Sequence, residues 1–501
     1  MPATCPVCPR KSGAPLAMID TTRTFPRFSP AGSVFLVLGA AGMAIVVGAL
    51  SGNPTPTGTL LLAALIWLAA QGLVLYRPFV AFLILCGSPF LLACVAVTEN
   101  RYINAFDVLV PAAFALGYLG RPRHEALEAD ARLTNPAHQA IAESARKFQR
   151  AAVMYLILVL VSLIPMAIRL GSSPAFEVLL YISRVVEGAL IYPLALWWLR
   201  SEQRVHRAIA AVLVAAMLLA ILNTYQVFGM GTFRAGITWV VNHLDWPVEC
   251  PNDAAAGLVF VWVLILVRHQ LKSTFWTYPM LAAVLFVLAL TQSRSGLLTL
   301  VFFVVLSSRG TRWKYLLIVA LFVPIVLALA PEAFFRRMGD TLTFKKGSFD
   351  VYSMMVRVYG YQSAWRVFTH NWLFGVGFLG CRYVSQAYND LGLTNLGSEN
   401  LYLETASGLG VVGLAALAYL YVRLFQLWRT ALRVTAPGTL GHAIARFHMP
   451  LIVGFSIPFY LTGGGPFGVT ATGQIGLWCA ILVRSAHLAV ERAEREVHPP
   501  S

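Results

Sequence analysis

The chain of 501 residues is 58% hydrophobic and only 12% charged, and its mean hydropathy is +0.69. A soluble domain carries about 25% charged residues, so this composition excludes a soluble enzyme, a disordered chain and a fibrous protein. Lys and Arg outnumber Asp and Glu by 38 to 22, a formal charge of +16, which basic cytoplasmic loops of a membrane protein explain without nucleic-acid binding.

About fourteen apolar runs are long enough, or nearly so, to cross a bilayer as helices of about twenty residues. They are 32–51, 58–76, 79–97, 105–120, 151–170, 176–199, 206–228, 252–268, 275–292, 295–308, 314–330, 400–424, 448–464 and 469–485. With the N-terminus inside, cytoplasmic loops and tails hold 26 Lys and Arg, outside loops hold 11, and Arg184 lies in a span. The asymmetry predicts cytoplasmic tails at 1–31 and 486–501 around a transmembrane helical domain at 32–485.

Two outside segments are long, 229–251 and 331–399. A loop of about seventy residues is too long to be structureless, so 331–399 is predicted to be a helical loop domain with a functional role. Within it, apolar residues recur at intervals of three and four residues over 351–369, which predicts a helix. Its apolar face is expected to lie at the lipid headgroup boundary.

The basic residues outside the membrane are concentrated at few positions. Arg234 lies in Phe-Arg-Ala-Gly, Arg294 in Thr-Gln-Ser-Arg-Ser-Gly and Arg357 in Met-Val-Arg-Val-Tyr-Gly. One interpretation is that each side chain snorkels and anchors a helix end. The other is a guanidinium cluster that binds phosphate through paired hydrogen bonds. The very short link that holds Arg294 has less need of an anchor, which favours phosphate binding there.

A second polar cluster marks the return of the long loop to the membrane. Residues 397–404 have the sequence Gly-Ser-Glu-Asn-Leu-Tyr-Leu-Glu, and 408–413 have Gly-Leu-Gly-Val-Val-Gly. Glu399 has two interpretations: a general base in a half-dry site, or a carboxylate that favours the positive end of a helix capped by Ser398 or Asn400.

Arg184 and Glu187 lie three residues apart within one predicted span, and they therefore share one face of that helix. Ionisable residues inside a span are costly, so the two are expected to form a structural pair or to contact substrate.

The cysteines carry less information. Cys250 and Cys381 are both predicted outside, where oxidation is permitted, so a disulfide between them is a hypothesis. Cys5 and Cys8 form a single C-x-x-C without a second pair, which fits a tail better than a zinc or redox site.

In chain order these motifs resemble the O-antigen ligase and Wzy-type polysaccharide polymerase superfamily. Phe233-Arg-Ala-Gly with Pro251-Asn252 resembles its Arg…Asn-Pro-Asn region, and Ser293-Arg-Ser-Gly resembles its S-R-x-G signature. The stretch from Arg357 through Trp365 to Gly375-Val-Gly resembles its R…W…P-x-x-G-x-G loop, here without the proline. Glu399-Asn400 with the following glycines resembles its H-N-x-x-L…G…G stretch. The resemblance covers about 230–415.

The resemblance implies an all-α polytopic membrane protein, a helical bundle of the C-type glycosyltransferase class whose loop caps a lipid-accessible cavity. It implies a bacterial inner-membrane enzyme with its site facing the periplasm, acting on a glycan carried by undecaprenyl pyrophosphate and on a sugar-hydroxyl acceptor. No cofactor, metal or nucleic-acid partner is expected; a chain-length regulator or export complex is a further expected partner. The expected catalytic residues are Glu399 and Arg294, and the expected substrate-binding residues are Arg234, Arg357, Asn252, Ser293, Asn400, Tyr402, Arg184, Glu187 and His370.

One departure bears on the activity. Where many relatives have histidine before the asparagine, this chain has Glu399. The histidine is most expected in ligases, so Glu399 favours a polymerase of exopolysaccharide or O-antigen repeats, with His370 as a substitute base. The alternatives are an O-antigen ligase, a protein O-glycosyltransferase or, outside the class, a lipid-linked oligosaccharide flippase. A flippase more often shows internal repeats, and this chain has no obvious one, which favours an enzyme.

Overall fold

A computed structural model of the chain describes residues 77–91, 95–96, 135–229, 237–240, 243–249, 251–307, 320, 349–390, 392–393, 396–459 and 469–497. The architecture of these residues is mainly helical. The helices are α1 Pro78–Leu91, α2 Pro136–Val161, α3 Leu163–Leu170, α4 Ser172–Trp198, α5 Glu202–Phe228, α6 Pro251–Leu271, α7 Thr277–Leu290, α8 Arg294–Ser307, α9 Phe349–His370, α10 Cys381–Val384, α11 Leu401–Val434, α12 Leu440–Gly454 and α13 Val469–Val497. A 3₁₀ turn at Ser385–Tyr388 follows α10, and a π-helical turn at Phe455–Phe459 follows α12.

Seven of the helical stretches in the described ranges are long and apolar enough to cross a membrane: 136–170, 172–198, 202–228, 254–271, 401–434, 440–457 and 472–497. Two shorter apolar helices are α7 and α8. The polytopic membrane class is therefore confirmed. The first, second and fourth predicted spans, and the eleventh except for residue 320, lie outside the described residues, so the count of fourteen stays a prediction.

Several helices run farther than the apolar runs predict. α2 begins at Pro136 instead of 151, with Asn135 as its N-cap, and carries the i,i+4 ion pair Glu143–Lys147. α13 continues to Val497 through the i,i+4 pair Arg492–Glu496, so much of the predicted C-terminal tail is helical. Caps and i,i+4 pairs stabilise a helix in water, beyond the end of its apolar segment.

A small sheet accompanies the helices. Its strands are β1 Val95–Ala96, β2 Ile237–Val240 and β3 His243–Glu249, in the order β1-β2-β3. β1 pairs with β2 in parallel, and β2 pairs with β3 as an antiparallel hairpin. Two of these strands lie in the predicted outside segment 229–251, to which the sequence assigned no element.

The core centres on α6 and α13, whose spans are the most buried of the seven. Phe260 of α6 and Trp478 of α13 meet edge to face, with ring centroids 5.5 Å apart. α4 packs along α13, α2 along α11 and α1 along α5. Two helices position the candidate site: α8, which packs on the π-helical turn, and α11, on which α9 packs.

Candidate functional site

The turn between α7 and α8 carries Arg294 and is held by hydroxyl and amide groups. Ser293 Oγ donates to Asn252 Oδ1 at 2.7 Å, and Ser295 Oγ lies 3.2 Å from the same oxygen. Gln292 adopts a positive φ of 51° at the head of the turn. Asn252 and Ser293, which were predicted from separate motifs, therefore form one polar cluster. Arg294 is half-buried beside it as the first residue of α8.

The glycine of the Ser-Arg-Ser-Gly motif lets α8 approach α6. A Cβ added to Gly296 would lie 2.5 Å from Ala255 Cβ, closer than real Cβ atoms come. Small residues allow membrane helices to pack at short distance. In this motif, Gly296 therefore allows the close packing of α8 on α6, the Ser293 and Ser295 hydroxyls bond to Asn252, and Arg294 provides a guanidinium.

Arg357 of α9 forms an ion pair with Glu399. Arg357 Nε lies 3.0 Å from Glu399 Oε2, and about half of the Glu399 side chain remains exposed. α9 reaches the loop at this point because it carries Gly360, where an added Cβ would come within 2.5 Å of the Gly397 carbonyl oxygen. Partial burial raises the pKa of the neighbouring Tyr361, with Arg357 opposing the rise and Glu399 adding to it.

Glu399 has an unusual backbone conformation, with a positive φ of 46°. A non-glycine residue in this region is strained and persists only where its surroundings hold it. On one side, Asn400 caps α11: its Oδ1 accepts from the backbone N–H of Tyr402 at 2.9 Å and of Leu403 at 3.0 Å. On the other side, the Ser398 hydroxyl donates to Glu404 Oε2 at 2.8 Å.

Glu404 is fully buried in the first turn of α11. Its second oxygen, Oε1, has no hydrogen-bond partner among the described residues, and in the same part of the chain neither has Arg382 Nε. The positive charge of Arg382 interacts electrostatically with this carboxyl group, and the Arg382 guanidinium also packs against Gly397. The buried Ser398 and Glu404 and the half-buried Arg382 thus form a polar group directly behind Glu399.

Tyr402 connects α11 to the α8 side of the bundle. Its hydroxyl donates to the Ser456 carbonyl in the π-helical turn at 2.7 Å. That turn packs against α8, and Gly454 just before it lies against the Thr299 carbonyl of α8. Thr299 is five residues from Arg294, about 8 Å along the helix. A continuous chain of contacts therefore joins the Glu399 loop to the helix that Arg294 begins.

A segment that contains Gly375 and Gly377, residues 371–378, packs into a break in α11 at Gly410. At Gly410, φ is 65° and ψ is −159°. The Ser407 and Gly408 carbonyls accept from the N–H groups of Val376 and Gly377, at 3.0 and 2.9 Å.

Below the break, the N–H groups of Val411 and Val412 donate to the carbonyls of Trp372 and Leu373, at 2.8 and 3.5 Å. In an unbroken helix, Val411 and Val412 would bond to Ser407 and Gly408. Four bonds to the 371–378 segment replace those two, so the Ser407 and Gly408 carbonyls and the Val411 and Val412 N–H groups each keep a partner.

His370 lies away from the ion pair. It ends α9, thirteen residues after Arg357, which is about 20 Å along the helix. Its Nδ1 lies 2.7 Å from the Arg366 carbonyl oxygen, and its ring packs edge to face on Tyr388. Arg366 in turn makes two hydrogen bonds to Asp390, at 2.6 and 3.1 Å, which lower the pKa of that carboxyl group.

The other predicted site residues are less informative. Arg184 and Glu187 lie on the continuous helix α4, but their side chains are outside the described part of the structure. Arg234 and Cys250 lie outside the described residues, as do Cys5 and Cys8. Cys381 is buried against Ala364, Val367 and Val376, and burial raises the pKa of its thiol. The Cys250–Cys381 disulfide therefore stays a hypothesis.

Sequence reasoning missed Glu404, Ser398 and Arg382 as a group. A usable indication existed for Glu404, because a carboxylate one turn into an apolar span is costly and by default functional. The sequence indicates for Ser398 only a role as a helix cap, and nothing local distinguishes Arg382 from other loop arginines. Among the described residues, no group of three or more His, Cys, Asp or Glu is arranged to hold a metal ion.

Comparison with known proteins assigns part of the chain. Residues 279–418 match the model of the Wzy_C family, described as O-antigen ligase. The segment therefore carries a domain of the O-antigen ligase and polymerase superfamily, which confirms the resemblance for the motifs from Ser293 to Gly413. The match runs from α7 through α8, α9 and the 371–378 segment into α11, so it includes Arg294, Arg357 and Glu399. None of the curated proteins matches the chain.

Proposed function

Because residues 279–418 carry an O-antigen ligase domain, we propose that the chain polymerises lipid-linked oligosaccharide repeats. The donor is a glycan on undecaprenyl pyrophosphate, and the acceptor is a sugar hydroxyl of another lipid-linked repeat. The enzyme lies in the bacterial inner membrane with its site facing the periplasm and works with a chain-length regulator or export complex. The repeat is an exopolysaccharide or O-antigen unit.

The ion pair between Arg357 and Glu399, a residue with a strained backbone, is the observation that carries this proposal. In the reaction, the acceptor oxygen bonds to the anomeric carbon of the donor as the bond from that carbon to the pyrophosphate breaks. The acceptor proton passes to the Glu399 carboxylate, which acts as general base. The leaving pyrophosphate keeps the bonding electron pair, and its growing charge needs guanidinium groups.

The ion pair supports an exchange on donor binding. Arg357 donates to Glu399 through Nε, and a guanidinium has five N–H donors. A pyrophosphate carries more charge than a carboxylate and accepts bidentate hydrogen bonds from arginine. The donor therefore competes with Glu399 for Arg357 and releases the carboxylate to act as base only when a leaving group is in place.

Arg294 supplies the second positive charge. It stands at the N-terminus of α8, where the helix dipole also favours an anion, and its turn is fixed by the Ser293–Asn252 hydrogen bond. Arg234, Arg184, Glu187 and His370 are proposed to contact glycan or lipid. Asn400 and Tyr402 already serve the local fold and are proposed to shape the acceptor site.

Lipid-linked glycan length in a deletion strain separates the candidate functions. Single repeats that accumulate on the lipid indicate a polymerase, long chains that stay on the lipid indicate a ligase or a protein O-glycosyltransferase, and repeats trapped on the cytoplasmic side indicate a flippase. The ligase alternative stands on the family match itself, whereas Glu399 in place of the expected histidine favours the polymerase.

The role of Glu399 is tested in the complemented strain. Glu399→Gln keeps the shape and a hydrogen bond but removes the base, so polymer should be lost at normal protein level. Glu143→Gln is the matched control, since this glutamate also pairs with a cation but lies on α2 far along the chain; it should leave polymer unchanged. Normal polymer from Glu399→Gln would show that Glu399 only ends a loop.

A further inference from the structure

The depth of the 371–378 segment is set by contacts to two membrane helices. α2 and α3 form one span whose uncharged stretch, 151–168, lies between Arg150 and Arg169. These arginines are nineteen residues apart, about 28 Å, which matches the bilayer core of roughly 30 Å. Arg169 therefore marks one membrane boundary, which the charge asymmetry predicts to be the outer one. Arg169 Nη1 donates to Asn371 Oδ1 at 3.1 Å.

From that boundary the segment descends. An added Cβ on Gly377 would lie 2.6 Å from Met166 Cβ, and Gly377 also bonds to Gly408, so Met166 and Gly408 share one level. That level is three residues, or about 5 Å, below Arg169. Val411, which bonds to the Trp372 carbonyl, lies three residues deeper still on α11.

The Trp372 and Leu373 carbonyls therefore lie inside the boundary by at most about 10 Å, because Asn371 and Gly375, at the two ends of this turn, both contact Arg169 Nη1. One leaflet of the hydrocarbon core is roughly 15 Å thick. The segment is thus within a single leaflet, above the midplane of the membrane.

Three apolar side chains face away from the protein at this depth. Trp372 is 58% exposed, Leu373 40% and Phe374 65%. The Trp372 and Leu373 carbonyls accept hydrogen bonds from α11, and such pairing is the condition for irregular backbone at membrane depth. Apolar side chains at this position gain from contact with hydrocarbon, whereas a water-filled cavity would favour polar ones.

We propose that residues 372–374 form a re-entrant lipid contact, with the Trp372, Leu373 and Phe374 side chains packed against acyl chains of the outer leaflet. The loop domain is then anchored in the membrane directly as well as through the helices on either side of it. This surface does not depend on the proposed glycosyl transfer.

Spin-label accessibility in the full-length protein tests this. The protein is reconstituted into phosphatidylcholine–phosphatidylglycerol vesicles without polyprenyl lipid, and a nitroxide is attached at Phe374→Cys. Ile157→Cys, exposed within the α2 span, is the lipid control, and Gln386→Cys, exposed in the 3₁₀ turn, is the water control. The unsubstituted chain gives the labelling background.

The label at residue 374 should collide with oxygen as often as the label at 157 and be shielded from a water-soluble nickel chelate. Access of the chelate equal to that at residue 386 would overturn the proposal. A label that becomes immobile only after undecaprenyl phosphate is added would also overturn it, because the occupant would then be the polyprenyl chain.

A second measurement keeps the test open if Phe374→Cys does not fold. Phosphatidylcholine with brominated acyl chains should quench the tryptophan fluorescence of the unsubstituted protein more than that of Trp372→Phe, since one lipid-exposed indole is removed. Equal fractional quenching of the two proteins would place Trp372 away from the acyl chains and would contradict the proposal.

Discussion

Substitution of Gly410 by alanine tests the break in α11 most directly. An added Cβ would overlap the Leu373 carbonyl group, which is backbone and cannot rotate away. The φ of 65° and ψ of −159° also lie in a region that only glycine occupies readily. The variant must therefore move the 371–378 segment or straighten the helix.

The expected cost has two parts. Backbone strain contributes about 1–3 kcal/mol. Displacing the segment breaks the Val411–Trp372 and Val412–Leu373 hydrogen bonds, and each of the two α11 N–H groups left unpaired costs about 1–3 kcal/mol. The sum is about 3–9 kcal/mol, against a total stability of about 5–15 kcal/mol for a typical protein.

Gly392→Ala is the matched control. Gly392 has nearly the same φ, 63°, but an added Cβ meets nothing within 4 Å, so only backbone strain of about 1–2 kcal/mol applies. Thermal unfolding in detergent, followed by size-exclusion fluorescence, should show a large loss for Gly410→Ala and a small one for Gly392→Ala. Equal thermal unfolding midpoints of the two variants would refute the reasoning, because the overlap with the Leu373 carbonyl would then cost nothing.

Three further substitutions test the site and the loop beside it. Arg294→Lys keeps the charge but loses the paired donors, so polymer should fall about tenfold or more for a loss of about 1.5–3 kcal/mol; Arg429→Lys, at an exposed position of α11, is the control and should not lower it. Glu404→Gln keeps an acceptor for the Ser398 hydroxyl and Glu404→Leu does not, so the glutamine variant should retain more polymer per folded protein; equal polymer would show that the hydrogen bond has no positioning role. Arg366 lowers the pKa of Asp390 below its ordinary value, so the pair stabilises the loop above about pH 4 and its contribution is lost as pH falls through the lowered value. Asp390→Asn should flatten that dependence in limited proteolysis with an acid protease, and an unchanged profile would contradict it.

The long apolar runs were predictable because twenty consecutive apolar residues leave few alternatives to a membrane helix. Every predicted span that falls mostly in the described residues is occupied by a helix. The ends were less predictable: α2 begins fifteen residues before its apolar run. Polar caps and ion pairs extend such helices, and hydropathy does not register them.

The break in α11 was not predictable from local pattern. A glycine inside a helix costs only about 1 kcal/mol relative to alanine, so Gly410 looks tolerable in a continuous span. What breaks the helix is a set of partners about 35 residues earlier in the chain, the backbone groups of the 371–378 segment. The same limit applies to Arg357 and Glu399, which are 42 residues apart and meet only because α9 packs on α11.

The glycines and the charged residues of this region form one structural unit. The 371–378 segment is fixed in the break at Gly410, and α10 follows it directly, so the break sets the position of Arg382. Arg382 packs on Gly397 and interacts electrostatically with Glu404. Glu404 accepts a hydrogen bond from Ser398, the residue before the strained Glu399. A glycine at membrane depth is therefore coupled to the conformation of the proposed base through a short series of contacts. Under the proposed mechanism, these glycines are positioning residues for the base.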